Sequence, residues 1–282
     1  MIRAIVTRPS PEAEAWAKAL EKDGVEALAL PLIEIRPTRD PAALAAAWAG
    51  IGSFEAVMFV SAPAVAHFFA AQPALLEPGG GPAVPWRAWA TGPGTAAALE
   101  RAGVPKDAID LPDTASAQWD SEALWQRVRG HFEDPAPAAQ AARRRVLIVR
   151  GADAHGRAAG RDWLAQQLQA CGVEVEFAQS YERHRPQWTA ATQAFAQASV
   201  QAVAPDAQLP GARPDTPAVW VFSSSEAIAN LLSLMPGQSW ARACAVATHP
   251  RIAQSATDAG FGVVCLSRPG LDAVRASIKS LQ

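Results

Sequence analysis

Short apolar runs alternate along the chain with stretches whose apolar residues return at helical spacing. The runs at 4–7, 27–30, 56–60, 88–90, 146–149, 173–177, 219–222, 243–247 and 262–266 predict strands. Strands alternating with helices are the signature of parallel α/β structure. Between the first two runs, Ala13, Trp16, Ala17 and Leu20 share one helical face, which places a helix against the sheet. Gly24, Gly103, Gly172 and Gly260 each follow such a stretch, where a glycine closes a helix. Residues 133–142 and 199–217, rich in proline and alanine, break the rhythm and read as exposed loops or weak helices.

The pattern also repeats. Phe59-Val60-Ser61-Ala62-Pro63-Ala64-Val65 resembles Phe222-Ser223-Ser224-Ser225-Glu226-Ala227-Ile228. Ala4-Ile5-Val6-Thr7-Arg8 resembles Val146-Leu147-Ile148-Val149-Arg150, and the turn at Ala90-Thr91-Gly92 resembles that at Ala247-Thr248-His249. The order differs between copies: Arg8 precedes the first serine turn, whereas Arg150 follows it. A tandem duplication would not give that order, but one domain inserted into another would. The expected architecture is therefore two doubly wound parallel-sheet α/β domains, one inserted in the other. Residues 1–34 with 185–282 form the discontinuous domain and 38–178 the inserted one. Residues 35–37 and 179–184 are the connectors. Two crossings pair naturally as a two-stranded β connector, since a lone strand leaves its backbone groups unpaired.

Composition narrows the function. The chain has 282 residues, half of them hydrophobic, enough for two ordinary domains. A formal net charge of -2 argues against a general nucleic-acid or membrane-surface binder, though not against a local basic cleft. Three widely spaced cysteines, Cys171, Cys244 and Cys265, suit a reducing compartment, and no metal-ligand spacing appears. The N-terminus enters a strand-like run at once, unlike a signal peptide, and no apolar run is long enough to span a membrane. The expectation is a soluble, cytoplasmic protein, with little support for a metal site.

In doubly wound domains the binding crevice lies beyond the carboxyl ends of the strands, where helix N-termini favour anions. The turns expected there are Thr7-Arg8-Pro9, Ser61-Ala62, Gly92-Pro93-Gly94-Thr95, Arg150-Gly151, Ser223-Ser224-Ser225 and Thr248-His249-Pro250-Arg251. Each serine or threonine also reads as an ordinary helix cap. Arg8 and Arg150 occupy matched positions, where a guanidinium suits a carboxylate or simply a solvated surface. Gly92-Pro93-Gly94-Thr95 lacks the dinucleotide fingerprint and the phosphate-loop lysine, which disfavours a nucleotide-dependent enzyme. Tyr181, the only tyrosine, lies in the second connector, as a packing residue or as a group facing a cleft. His184 and His249 fall near the same expected cleft.

The ordered set of these segments resembles the uroporphyrinogen-III synthase family over nearly the whole chain. The set runs from Val6-Thr7-Arg8-Pro9 and Leu30-Pro31-Leu32-Ile33-Glu34-Ile35 through the serine turn at Ser61 and Gly92-Pro93-Gly94-Thr95. It continues with Val149-Arg150-Gly151, Tyr181-Glu182-Arg183, the serine turn at Ser224 and Ala247-Thr248-His249. The resemblance implies two α/β domains flanking a cleft, with hydroxymethylbilane, a linear tetrapyrrole bearing eight carboxylates, as substrate. It implies loss of water from the hydroxymethyl group, inversion of ring D through a spiro intermediate, and ring closure without cofactor or metal. It also implies Tyr181 as proton donor. Arg8, Ser61, Ala62, Gly94, Thr95, Arg150, Gly151, Ser224, Ser225 and Thr248 become expected substrate-binding or turn-forming positions. A transient contact with hydroxymethylbilane synthase is the expected partner interaction. Two segments depart from the family pattern: Val60 replaces a common hydroxyl residue, and Ala247-Thr248-His249-Pro250-Arg251-Ile252-Ala253 replaces a turn with glycine and Thr-Ala. The competing reading is a non-enzymatic, hinged two-domain binder of an anionic small molecule.

Overall fold

The structure, a computed structural model, describes residues 3–72, 86–113, 120–133, 144–158, 162–201 and 218–281. The irregular stretches expected at 133–142 and 199–217 fall almost wholly outside these residues. In chain order the elements begin β1 (Arg3–Val6), α1 (Glu12–Lys22), β2 (Glu26–Ala29), β3 (Glu34–Pro37), α2 (Pro41–Ala49), β4 (Ala56–Phe59), α3 (Ala62–Ala70) and β5 (Arg87–Ala90). There follow α4 (Pro93–Arg101), β6 (Ile109–Asp110), α5 (Ser121–Val128), α6 (Gly130–Glu133), β7 (Arg145–Asp153), α7 (Trp163–Ala170) and β8 (Glu174–His184). The last are α8 (Ala190–Gln201), β9 (Ala218–Phe222), α9 (Ser225–Leu234), β10 (Cys244–Ala247), α10 (Pro250–Asp258), β11 (Val263–Leu266) and α11 (Leu271–Lys279).

The chain divides into two compact units, one of Met1–Glu34 with His184–Gln282 and one of Ile35–Arg183. The first holds a five-stranded parallel sheet in the order β11-β10-β9-β1-β2. The second holds a six-stranded sheet in the order β3-β8-β7-β4-β5-β6. Reading β6-β5-β4-β7-β8 against β11-β10-β9-β1-β2 shows the same order twice. The three repeats seen in the sequence fall on equivalent strands: β1 with β7, β9 with β4, and β10 with β5. The connecting segments do pair, because β3 lies beside β8. They do so as the edge of the six-stranded sheet, and the strand expected at 173–177 runs unbroken to His184.

Strict alternation explains why the apolar runs have no polar face. In the second unit Val57, Phe59, Ala88, Ala90, Leu147 and Val149 pack with α2, α3 and α4 through Leu44, Trp48, Val65, Phe68 and Leu99. Their neighbours Ala56, Met58, Trp89, Val146 and Ile148 pack with α5, α6 and α7 through Leu124, Phe132 and Leu168. Successive side chains on a strand point to opposite faces, and helices cover both. In the first unit Ala4, Val6, Val219, Val221 and Val246 meet Leu20 of α1 and Val274 and Ile278 of α11. Around Trp220 and Phe222 of that unit, Trp240 stands 5.4 Å edge-on to Trp220 and Phe261 stands 5.5 Å edge-on to Phe222. The expected helix-closing glycines all take positive φ: Gly24 at 79°, Gly103 at 90°, Gly172 at 77° and Gly260 at 88°.

Candidate functional site

Each sheet has one point where the chain leaves in opposite directions, and crevices open beyond the strand ends at such points. In the second unit that point lies between β4 and β7, paired in parallel with Phe59 opposite Val149. Ser61 follows β4, while Arg150 and Gly151 stand in β7 at the same level. The β7–β8 register then shifts: Arg150 faces Gln179, but Gly151 faces Tyr181. Ser180 is the extra residue of this bulge, and its hydroxyl donates to the Ala64 carbonyl at 3.2 Å, fastening β8 to α3. A bulge re-aims the next side chain. Here the next side chain is Tyr181, which is buried to 4% exposure and packs in the cluster with Phe59, Val65 and Val149.

The Tyr181 hydroxyl lies 3.0 Å from Ser61 Oγ. Ser61 is also the N-cap of α3, accepting from the Ala64 N–H at 3.3 Å. The His67 ring lies 6.0 Å from the Tyr181 ring and within 25° of parallel. Burial pushes the His67 imidazole below its ordinary value of 6.5, so at pH 7 it is neutral. Beyond the tyrosine, buried Glu182 pairs with Arg39 at 3.0 Å, and Arg39 donates to the Ala154 carbonyl at 2.7 Å. Those bonds hold the end of β8 against its neighbours.

Arg150 and Arg8, matched in sequence, are matched in circumstance. Arg150 donates to Asp162 at 2.5 Å, and its guanidinium lies 3.8 Å over the Phe177 ring. Arg8 donates to both oxygens of Glu12, at 3.1 and 3.4 Å, and lies 4.4 Å over the Trp16 ring. Each therefore holds a carboxylate of its own unit. Glu12 follows Arg8 by four residues, a helical spacing legible in sequence. Asp162 and His67 carried no such signal, and sequence reasoning missed both.

In the first unit the corresponding point lies between β1 and β9. The Thr7 hydroxyl there donates to the Val221 carbonyl at 2.7 Å. Ser224 caps α9 by accepting from the Glu226 N–H at 3.2 Å, as Ser61 caps α3. Exposed Ser225 accepts from the Ser255 hydroxyl at 2.9 Å. Thr248 is buried at the end of β10, and His249 caps α10 through Nδ1. Further along the six-stranded sheet, α4 begins at Pro93, with Gly94 exposed and Thr95 buried in its first turn. Ala62 opens α3 beside Ser61. The structure thus brings Ser61, Ala62, Arg150, Gly151 and Tyr181 to one switch point, and Arg8 and Ser224 to the other. The single tyrosine makes the two points chemically unequal. No group of three or more potential metal ligands occurs among the described residues. No helix among them is long and apolar enough to cross a membrane.

Two doubly wound α/β units of one strand order, one interrupting the other, with hydroxyl and arginine turns at their switch points, define the class. The family model described as uroporphyrinogen-III synthase HemD matches residues 14–275, and the chain belongs to that family. Among solved structures, a mutant uroporphyrinogen III synthase from Thermus thermophilus matches at 16% identity and a TM-score of 0.54, covering 100% of this chain and 99% of that one. A uroporphyrinogen-III synthetase from Helicobacter pylori matches at 16% identity and a TM-score of 0.54, covering all of both chains. Likenesses at that identity show the fold.

Proposed function

We propose that this chain performs the reaction of its family: it dehydrates hydroxymethylbilane and closes it, with ring D inverted, to uroporphyrinogen III. The observation that carries the residue assignment is the lone tyrosine at the switch point of one unit, hydrogen-bonded to a helix-capping serine. The electron pair of the terminal pyrrole nitrogen expels the hydroxyl, so only modest acid help is needed. Tyr181 gives its proton to the departing oxygen, which leaves as water, and the resulting phenolate sits at the N-terminus of α3, where negative charge is favoured. The proton lost from the ring carbon on final closure restores the phenol. The larger task is orientation, because the same intermediate closes without inversion when it is free.

Arg8, Ser224, Ser225 and Thr248 in one unit, and Ser61, Ala62, Gly94, Thr95, Arg150 and Gly151 in the other, are the proposed carboxylate-holding or turn-forming positions. Arg8 and Arg150 already hold protein carboxylates, the same group the substrate presents, so exchange of one carboxylate for another would serve binding. The enzyme acts as a cytoplasmic monomer and meets hydroxymethylbilane synthase only transiently. The comparisons lend no support to a non-enzymatic binder. The test is incubation with freshly made hydroxymethylbilane and resolution of the product isomers. Type III product is expected, and type I alone at the uncatalysed rate would refute the reading. Tyr181→Phe should lower kcat by roughly tenfold or more, short of the ~10²-fold typical of a fully engaged proton donor. An unchanged kcat removes Tyr181 from the mechanism.

A further inference from the structure

Gly151 is the residue opposite Tyr181 across the β7–β8 ladder. A Cβ at Gly151 would lie 2.5 Å from Tyr181 Cζ and 2.7 and 2.9 Å from Cε2 and Cε1. Those separations are well inside van der Waals contact, and the atoms met are the far end of a buried ring, not a flexible tip. The Gly151 backbone is not in the left-handed region, so conformation alone does not call for glycine here. What calls for it is the ring. Any other residue would push the phenol out of its place beside Ser61.

Ser61 adds direction to this placement. One acceptor site of its oxygen is engaged by the Ala64 N–H at the start of α3. Across the 3.0 Å between the Ser61 and Tyr181 oxygens either hydroxyl can be the donor. A phenol that accepts from Ser61 keeps its proton for another acceptor. We propose that Gly151 and Ser61 are positioning residues for Tyr181: the first leaves a slot in which the ring lies, and the second turns the phenol proton outward. This inference rests on Tyr181 being the proton donor of the proposed reaction. It uses the bulge at Ser180 as well, because without the register shift Gly151 would not face the tyrosine.

Because Tyr181 is the chain's only tyrosine, protein grown on tyrosine carbon-13-labelled at Cζ alone gives one labelled resonance that reports the slot directly. Gly151→Ala should move that resonance toward its unfolded-chain position and lower kcat by roughly tenfold or more, within what misplacement by an ångström costs. KM should stay nearly unchanged. In the Tyr181→Phe background Gly151→Ala should cause little further loss, the non-additivity expected of two residues acting as a unit. Ser61→Ala should also move the resonance and lower kcat, and Ser61→Thr, which keeps the hydroxyl, should restore both. Additive losses, or an unmoved resonance in both variants, overturn the proposal. If Gly151→Ala does not fold by circular dichroism, the Ser61→Ala and Ser61→Thr pair decides on the same two readouts. Should Tyr181→Phe retain full kcat while Gly151→Ala still moves the resonance, the donor assignment fails and the catalytic role of the slot falls with it. That outcome is distinct from the slot being absent.

Discussion

At the scale of single residues, His67 shows how burial sets charge beside the Tyr181 ring. Its imidazole is held below the ordinary value by desolvation, while the unfolded chain takes up its proton near 6.5. Between the two values the unfolded state holds more protons, so stability rises with pH there and falls as pH drops through the unfolded value. His67→Gln should remove this dependence. Urea midpoints of the two proteins should differ little in their spacing near neutrality and in weakly alkaline buffer. About one unit below the ordinary histidine value, wild type should lose ground to the variant. Parallel midpoints across that range would show that the ring is not shielded as its surroundings imply.

At the scale of elements, two glycines illustrate two different demands. Gly103 closes α4 at φ 90°, and a Cβ there would meet nothing within 4 Å. Gly103→Ala should therefore cost only backbone strain, about 1–2 kcal/mol. A lower thermal midpoint with unchanged isomer ratio is the expected result. Gly151 presents the reverse case, ordinary backbone with no room for a side chain. The first demand was legible in the sequence, because a glycine after a helical stretch names its own role. The second was not, because it depends on which residue of β8 stands opposite, and the bulge at Ser180 decides that. The same contrast runs through the strands. All nine apolar runs became strands because both faces of each sheet are covered. The pair Ile109–Asp110 was too short to read, and the far half of β8, expected as one strand of a separate connector, is continuous with the strand expected at 173–177. The matched arginines were visible as candidates, but the hold of Asp162 on Arg150 arises from tertiary structure across an unrelated turn.

For the molecule as a whole, the repeated strand order accounts for what the sequence repeats only suggested. The strands equivalent to β9, β10 and β11 precede the equivalents of β1 and β2 in one unit and follow them in the other. The unit of residues 35–183 is continuous in sequence and has apolar clusters on both faces of its sheet. Expressed alone, that segment should unfold in one cooperative transition in urea, as small single domains do. A gradual, non-cooperative loss of structure would show that it depends on the remainder of the chain.

The central position of β1 has a consequence for how the chain is made. It lies between β9 and β2, and the Thr7 hydroxyl reaches the Val221 carbonyl across 214 residues of sequence. During synthesis from the N-terminus, the opening strand–helix–strand leaves the ribosome long before its partner β9 exists. The other unit emerges in full meanwhile and can complete its sheet. One flank of β1 must therefore wait unpaired and apolar, with α1 sheltering a single face, until the last third of the protein arrives. The interval is fixed by the length of the interrupting unit, so lengthening its surface loops would prolong the exposure of this nascent strand while leaving the finished fold unchanged.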